Sequence, residues 1–210
     1  MSQLFNKLRF LMKALFRDGY NIIKYGLGAP KYAETIWIIP SEVKGIVSFG
    51  KKHSGKVVNF DEFIDKNKVI NLLDDNRIKS CIDHWTNRVP WEKTTDFKDK
   101  LSRINSGELA WDSDCKTRED LFKKYRKLDD IFNEVKANKS MKTRKEINKC
   151  DFRELNTFGI SIDKFGQIWL GSGGYHRFAI AYILQLKKVP ARIGLVDYRK
   201  VKQLNKYRKF

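Results

Sequence analysis

The chain has 210 residues, 41% of them apolar and 32% charged, with 43 Lys and Arg against 25 Asp and Glu. That composition supports one principal domain with room for a small subdomain, no segment carries the bias of a long disordered linker, and no apolar run reaches the roughly 18 residues a membrane span needs. The formal charge of +18 sits mainly at the ends, +4 in residues 1–26 and +8 in 187–210 with +6 between, so the body is only mildly basic.

Residues 2–25 form the first helix candidate. Leu4, Leu8, Leu11, Leu15 and Ile22 follow helical spacing, Phe5, Met12 and Phe16 widen the stripe, and Lys7, Arg9, Lys13 and Arg17 make the other side cationic. Two readings stand for this helix: an interfacial element on acidic lipid, or a helix docked on its own domain or a partner subunit. The same charges break up any signal-peptide core, and Cys81, Cys115 and Cys150 are odd in number and lack C-x-x-C spacing. A reducing, cytoplasmic setting is therefore expected, with neither a disulfide framework nor a zinc site.

Glu34 to Pro40 reads as a short strand closed by its proline. The Gly- and Lys-rich run Gly50-Lys-Lys-His-Ser-Gly-Lys56 after it could approach an anion but lacks P-loop spacing. Residues 59–150 read as largely helical. Their strongest element opens at Thr117, where Glu119 and Asp120 complement the helix dipole and Leu121, Phe122, Tyr125, Leu128, Ile131, Phe132 and Val135 stripe one side. His53 and His84 are isolated, and no clustered Cys or H-x-x-x-H supports a transition-metal site.

From Phe158 to Leu170 two short strands flank a turn at Asp163 to Gly166, and a helix over Tyr175 to Leu186 and a strand over Val189 to Val196 follow. Gly171-Ser-Gly-Gly-Tyr-His-Arg-Phe178 joins the hairpin to the helix. A helix start exposes unpaired N–H groups and opposes cations by about 0.3–1 kcal/mol. Arg177 and His176 at that start make sense if an anion is bound by loop amides and the guanidinium fork. The alternative is a tight turn in which Arg177 pairs with a carboxylate elsewhere.

The stretch Gly159 to Val196, with Gly173-Gly174-x-His176-Arg177-Phe178-Ala179 and Val189-Pro-Ala-Arg-Ile193, resembles the nucleotide-binding core of the ParB/sulfiredoxin superfamily. Trp37-Ile-Ile-Pro40 with Ser41-Glu42-Val43 is similar to that family's opening strand. The resemblance implies that Ser172, Gly173, Gly174, His176 and Arg177 hold the phosphates of ATP or CTP, with Mg²⁺. Sulfiredoxins place a nucleophilic Cys where this chain has Tyr175, a phenol of pKa near 10, so sulfinic-acid repair is not expected. About 14 residues follow the last strand, too few for the helix-turn-helix of a ParB clamp. The superfamily's small-molecule kinases use an acidic base near the opening strand, and Glu42 is the nearest candidate.

The expected fold is α+β: a small mixed sheet with a ParB/sulfiredoxin-like core and a large helical insertion. The expected organisation is an amphipathic basic helix over 1–26, a first part of the core over 27–58, the insertion over 59–150, the core with its phosphate loop over 151–197 and a basic tail over 198–210. The expected function is nucleotide-phosphate binding, with phosphotransfer to a small substrate or nucleotide hydrolysis. Its alternative is a nucleic-acid-binding or ParB-like nuclease protein gripping phosphates through the basic ends. Further expected partners are an acidic membrane surface or another protein at the first helix.

Overall fold

The computed structural model describes residues 2–208 apart from 48, 65–68, 111–114 and 172. The fold is α+β, built on a seven-stranded mixed sheet. Its strands are β1 (Thr35–Ile38), β2 (Val43–Val47), β3 (Lys56–Val58), β4 (Val69–Ile70), β5 (Gly159–Ile162), β6 (Ile168–Leu170) and β7 (Val189–Asp197), in the order β1-β7-β5-β6-β2-β4 with β3 also on β7. Every residue of β7 is buried, as suits a strand parallel to both β5 and β3 and antiparallel to β1. Pro190 fits there because it pairs with Trp37 of β1, whereas the β5 register begins only at Arg192, so the missing N–H costs no ladder bond on that side. The β5–β6 turn falls where the sequence places it. Asp163 Oδ1 accepts from Phe165 N and Gln167 N, both at 2.8 Å, and Oδ2 accepts from Trp169 Nε1 at 3.0 Å.

The helices are α1 (Ser2–Tyr25), α2 (Phe60–Phe63), α3 (Asn76–Trp85), α4 (Thr95–Asn105), α5 (Arg118–Asn138), α6 (Arg144–Ile147), α7 (Tyr175–Ile183) and α8 (Asn205–Arg208). Thr117 and Asp120 form a capping box that opens α5, and Leu121, Tyr125, Phe132 and Val135 are buried along it. Asp129 of α5 ties the insertion together. It accepts from Trp85 Nε1 at 2.9 Å and Trp91 Nε1 at 3.1 Å, and His84 Nε2 lies 3.1 Å away. The expected boundary at residue 59 shifts: β4 is a strand of the main sheet, and Phe60 N donates to Asp197 Oδ2 at 3.0 Å, so the helical part begins near α3. A two-residue strand carries no period from which it could be read.

Both ends of the described chain pack on the domain. Residues 198–208 are not a solvated basic tail, because Val201, Leu204 and Tyr207 are buried, Arg199 pairs with Asp197 at 2.7 Å and Arg208 with Glu34 at 2.6 Å. At the other end α1 docks through a mixed face, on which Phe10, Ala14 and Tyr25 pack on the domain beside the polar Asp18 and Asn21. Asn21 Nδ2 donates to the carbonyls of Pro30 at 2.6 Å and Gly55 at 2.8 Å, and Asp18 accepts from Tyr32 N at 2.6 Å and Arg153 Nη2 at 2.9 Å. Ala14, one turn before Asp18, is buried, while Leu8, Leu11, Met12, Leu15 and Ile22 are exposed. The side chains of Leu4 and Phe5 lie outside the described residues.

At Gly171 any Cβ would stand 1.9 Å from the Phe49 ring, which packs against Val58, Phe60 and Leu195. Gly171→Ala is therefore expected to lower stability by about 3 kcal/mol, through displacement of that ring. Urea unfolding with an unchanged m-value measures the loss.

Candidate functional site

The hairpin delivers the chain into α7 through two left-handed glycines, Gly173 at φ 87° and Gly174 at φ 65°. Gly174 is the N-cap of α7, and a Cβ there would meet Phe158 N at 2.5 Å. Its lack of a side chain answers to backbone packing and to positive φ. At Gly173 a Cβ would meet only Lys51 Cε, at 3.8 Å. That glycine borders a lysine rather than the core. Ser172 lies outside the described residues.

The start of α7 borders a depression of about 770 Å³ whose lining includes Gly173, Gly174 and Arg177 together with Arg77, Lys100 and Arg144. Three of these four cations have carboxylate partners. Arg77 donates to both oxygens of Asp75, Nε at 3.0 Å, and lies 3.4 Å over the Tyr175 ring. Lys100 pairs with Asp96, and Arg144 with Asp151 at 2.8 Å. Arg177 differs. Its Nη2 donates to the Lys142 carbonyl, its buried Nε has no partner, and no carboxylate among the described residues pairs with it. Burial pulls its pKa down to about 10, against the pull of nearby Glu154.

Lys51, from the loop after β2, adds a fifth cation at the rim, its Nζ 3.4 Å from Asn156 Oδ1, and Asn156 also lines the depression. Partial desolvation and the charges of Arg192 and Arg144 lower the Lys51 pKa. Arg192, in the fully buried β7, donates from Nη1 to the Leu155 carbonyl at 2.6 Å and so fixes the segment that carries Asn156 and Glu154. Glu154 is buried, its Oε1 accepting from Arg144 N at 2.7 Å while Oε2 has no partner. Burial raises its pKa. Nothing in the periodicity marks Glu154, because its segment is neither helix nor strand.

His176 does not stand free to meet a phosphate. Its Nε2 lies 3.0 Å from Asp96, which also accepts from Tyr125 OH at 2.7 Å and from Lys100. Burial lowers the His176 pKa, so the ring is neutral and donates from Nε2 to Asp96. Burial works against ionisation of Asp96, but the hydrogen bond from His176 together with the charge and hydrogen bond of Lys100 prevail and hold it below the usual carboxylate range. The expected phosphate ligand thus serves as a joint between α7 and the insertion. Glu42 is exposed and borders a different depression with Trp37, Lys44 and Lys206, apart from the glycine loop. Tyr175 is a buried platform beneath Arg77.

Among the described residues no group of three His, Cys, Asp or Glu is arranged to hold a metal, and none of their helices is long and apolar enough to cross a membrane. Comparison with protein-family models, curated proteins and solved structures returns no match for this chain.

The His176 joint makes stability depend on pH. Because the folded pKa lies below the unfolded value of about 6.5, the unfolded chain binds the proton first, and the native state loses stability as pH falls from about 7 toward 5. His176→Gln removes the titration and is expected to flatten that slope. Urea unfolding at a series of pH values is the check.

Proposed function

We propose that this chain binds the phosphates of a nucleoside triphosphate in the depression at the start of α7 and uses it for phosphoryl transfer to a small substrate or for hydrolysis. The carrying observation is Arg177: a half-buried guanidinium at the positive end of a helix, with a buried, unpartnered Nε and no carboxylate pair among the described residues. Such an arrangement is costly in isolation and is relieved by a bound anion. The resemblance to the ParB/sulfiredoxin core points the same way and suggests ATP or CTP.

Arg177, Arg144 and Lys51 would hold the phosphates, with Gly173 allowing close approach. A bound triphosphate supplies the transferable phosphoryl group, and Mg²⁺ would enter as its counter-ion. Phosphoryl transfer asks mainly for positioning and charge neutralisation, which guanidinium forks and a helix start provide. Glu154 suits the role of base better than Glu42. Its Oε2 is unpartnered, its raised pKa favours accepting a proton from an attacking hydroxyl or water, and it lies in the electrostatic reach of Arg177. The nucleic-acid reading draws less support, since Arg199 and Arg208 of the basic end are engaged by Asp197 and Glu34.

Thermal unfolding with ATP, CTP, GTP and inorganic triphosphate, each with Mg²⁺, tests the reading. At about 100-fold excess over Kd the melting temperature should rise by about 5–10 °C. Arg177→Met should weaken that binding by about 30- to 100-fold, the worth of a charge-assisted contact, without lowering the melting temperature of the free protein. A free protein destabilised by Arg177→Met, with no response of the wild type to any of the four, would make Arg177 a structural residue.

A further inference from the structure

The first helix carries a second site. Held through Ala14, Asp18 and Asn21, α1 presents its apolar stripe away from the domain: Leu15 is 69% exposed, Phe16 73% and Ile23 89%, and Leu8, Leu11 and Met12 are exposed with them. Along the flank of that stripe Lys13, Arg17 and Lys24 of α1, with Lys52 and Lys56 from the loop and strand beside it, line a depression of about 660 Å³. No carboxylate lines it among the described residues. Arg17 Nη1 is buried there without a partner, and Tyr20 stands exposed between the apolar and cationic sides.

We infer that this face of α1 docks on an anionic phospholipid surface, the acyl boundary covering Leu15, Phe16 and Ile23 while headgroup phosphates enter the groove at Arg17 and Lys24. Charge decides the occupant. An isologous contact with a second copy would oppose this five-cation cluster to itself or leave it unmet, whereas an anionic bilayer satisfies the apolar stripe and the groove together. An amphipathic tyrosine at the boundary suits the headgroup level. The inference is independent of the triphosphate depression, with which this groove shares no lining residue.

The test uses the full chain in co-sedimentation with vesicles of phosphatidylcholine alone and with about one third phosphatidylglycerol. Binding is expected on the anionic vesicles, weakened at least about tenfold on neutral ones and by raised salt. The pair Leu15→Glu with Ile23→Glu and the pair Lys13→Glu with Lys24→Glu should each cut binding by about 100-fold. Melting temperatures should stay unchanged in the first pair, whose side chains are exposed, which separates lost docking from lost folding. Equal binding to both vesicle types, no vesicle binding, or a concentration-dependent dimer abolished by Leu15→Glu with Ile23→Glu would each overturn the inference.

Discussion

One buried carboxylate sets the geometry on which the candidate site depends. Asp96, in the first turn of α4, accepts from Lys100 of its own helix, from Tyr125 of α5 and from His176 of α7, while its backbone N–H donates to Ser80 Oγ of α3 at 2.9 Å. Four helices therefore meet at one charge. An ionised carboxylate out of water costs several kcal/mol unless donors surround it, and here the donors arrive only when the insertion and α7 are in register. Arg177 follows His176 directly, so the bond that fixes His176 also fixes where the next guanidinium lies.

The charge balance around that register is uneven in a way that bears on function. Arg77, Lys100 and Arg144 each have an aspartate partner, as a purely structural cluster requires. Arg177 has only a backbone carbonyl and a buried, unmatched Nε in an otherwise half-buried side chain, and the buried Glu154 keeps one oxygen unmatched. Their electrostatic coupling falls short of an ion pair among the described residues. A guanidinium and a carboxylate held near each other but unpaired form a polar gap that a phosphate and a hydroxyl can complete.

What was legible in the sequence was local. The Asp163 turn, the Thr117 cap and the apolar run of β7 each depend on residues within a few positions, and the structure contains all three. What escaped depends on distant partners: Arg208 meets Glu34 across the length of the chain, β4 is defined by two pairs with β2, and Glu154 gains its character from burial alone. The stripe on α1 was legible but its direction was not. Asn21 and Asp18 find backbone partners on the domain while Phe10, Ala14 and Tyr25 pack beside them, and that mixed face, not the wider apolar stripe, orients the helix. The Gly-rich loop was half legible, since its position at the start of α7 was readable but the involvement of His176 with Asp96 required a carboxylate eighty residues upstream.

The glycines carry the same lesson about motif reading. Gly171 and Gly174 are demanded by the Phe49 ring and the backbone at Phe158, so their presence would be required whether or not an anion binds. Only Gly173 faces a cation without a packing demand, and it does so in a left-handed conformation that glycine adopts without strain. A glycine run therefore argues for a phosphate site only in proportion to the glycines that packing leaves unexplained. In this chain that is one residue of the three described, and the weight of the case falls on Arg177, whose buried Nε has no partner and which no carboxylate among the described residues meets.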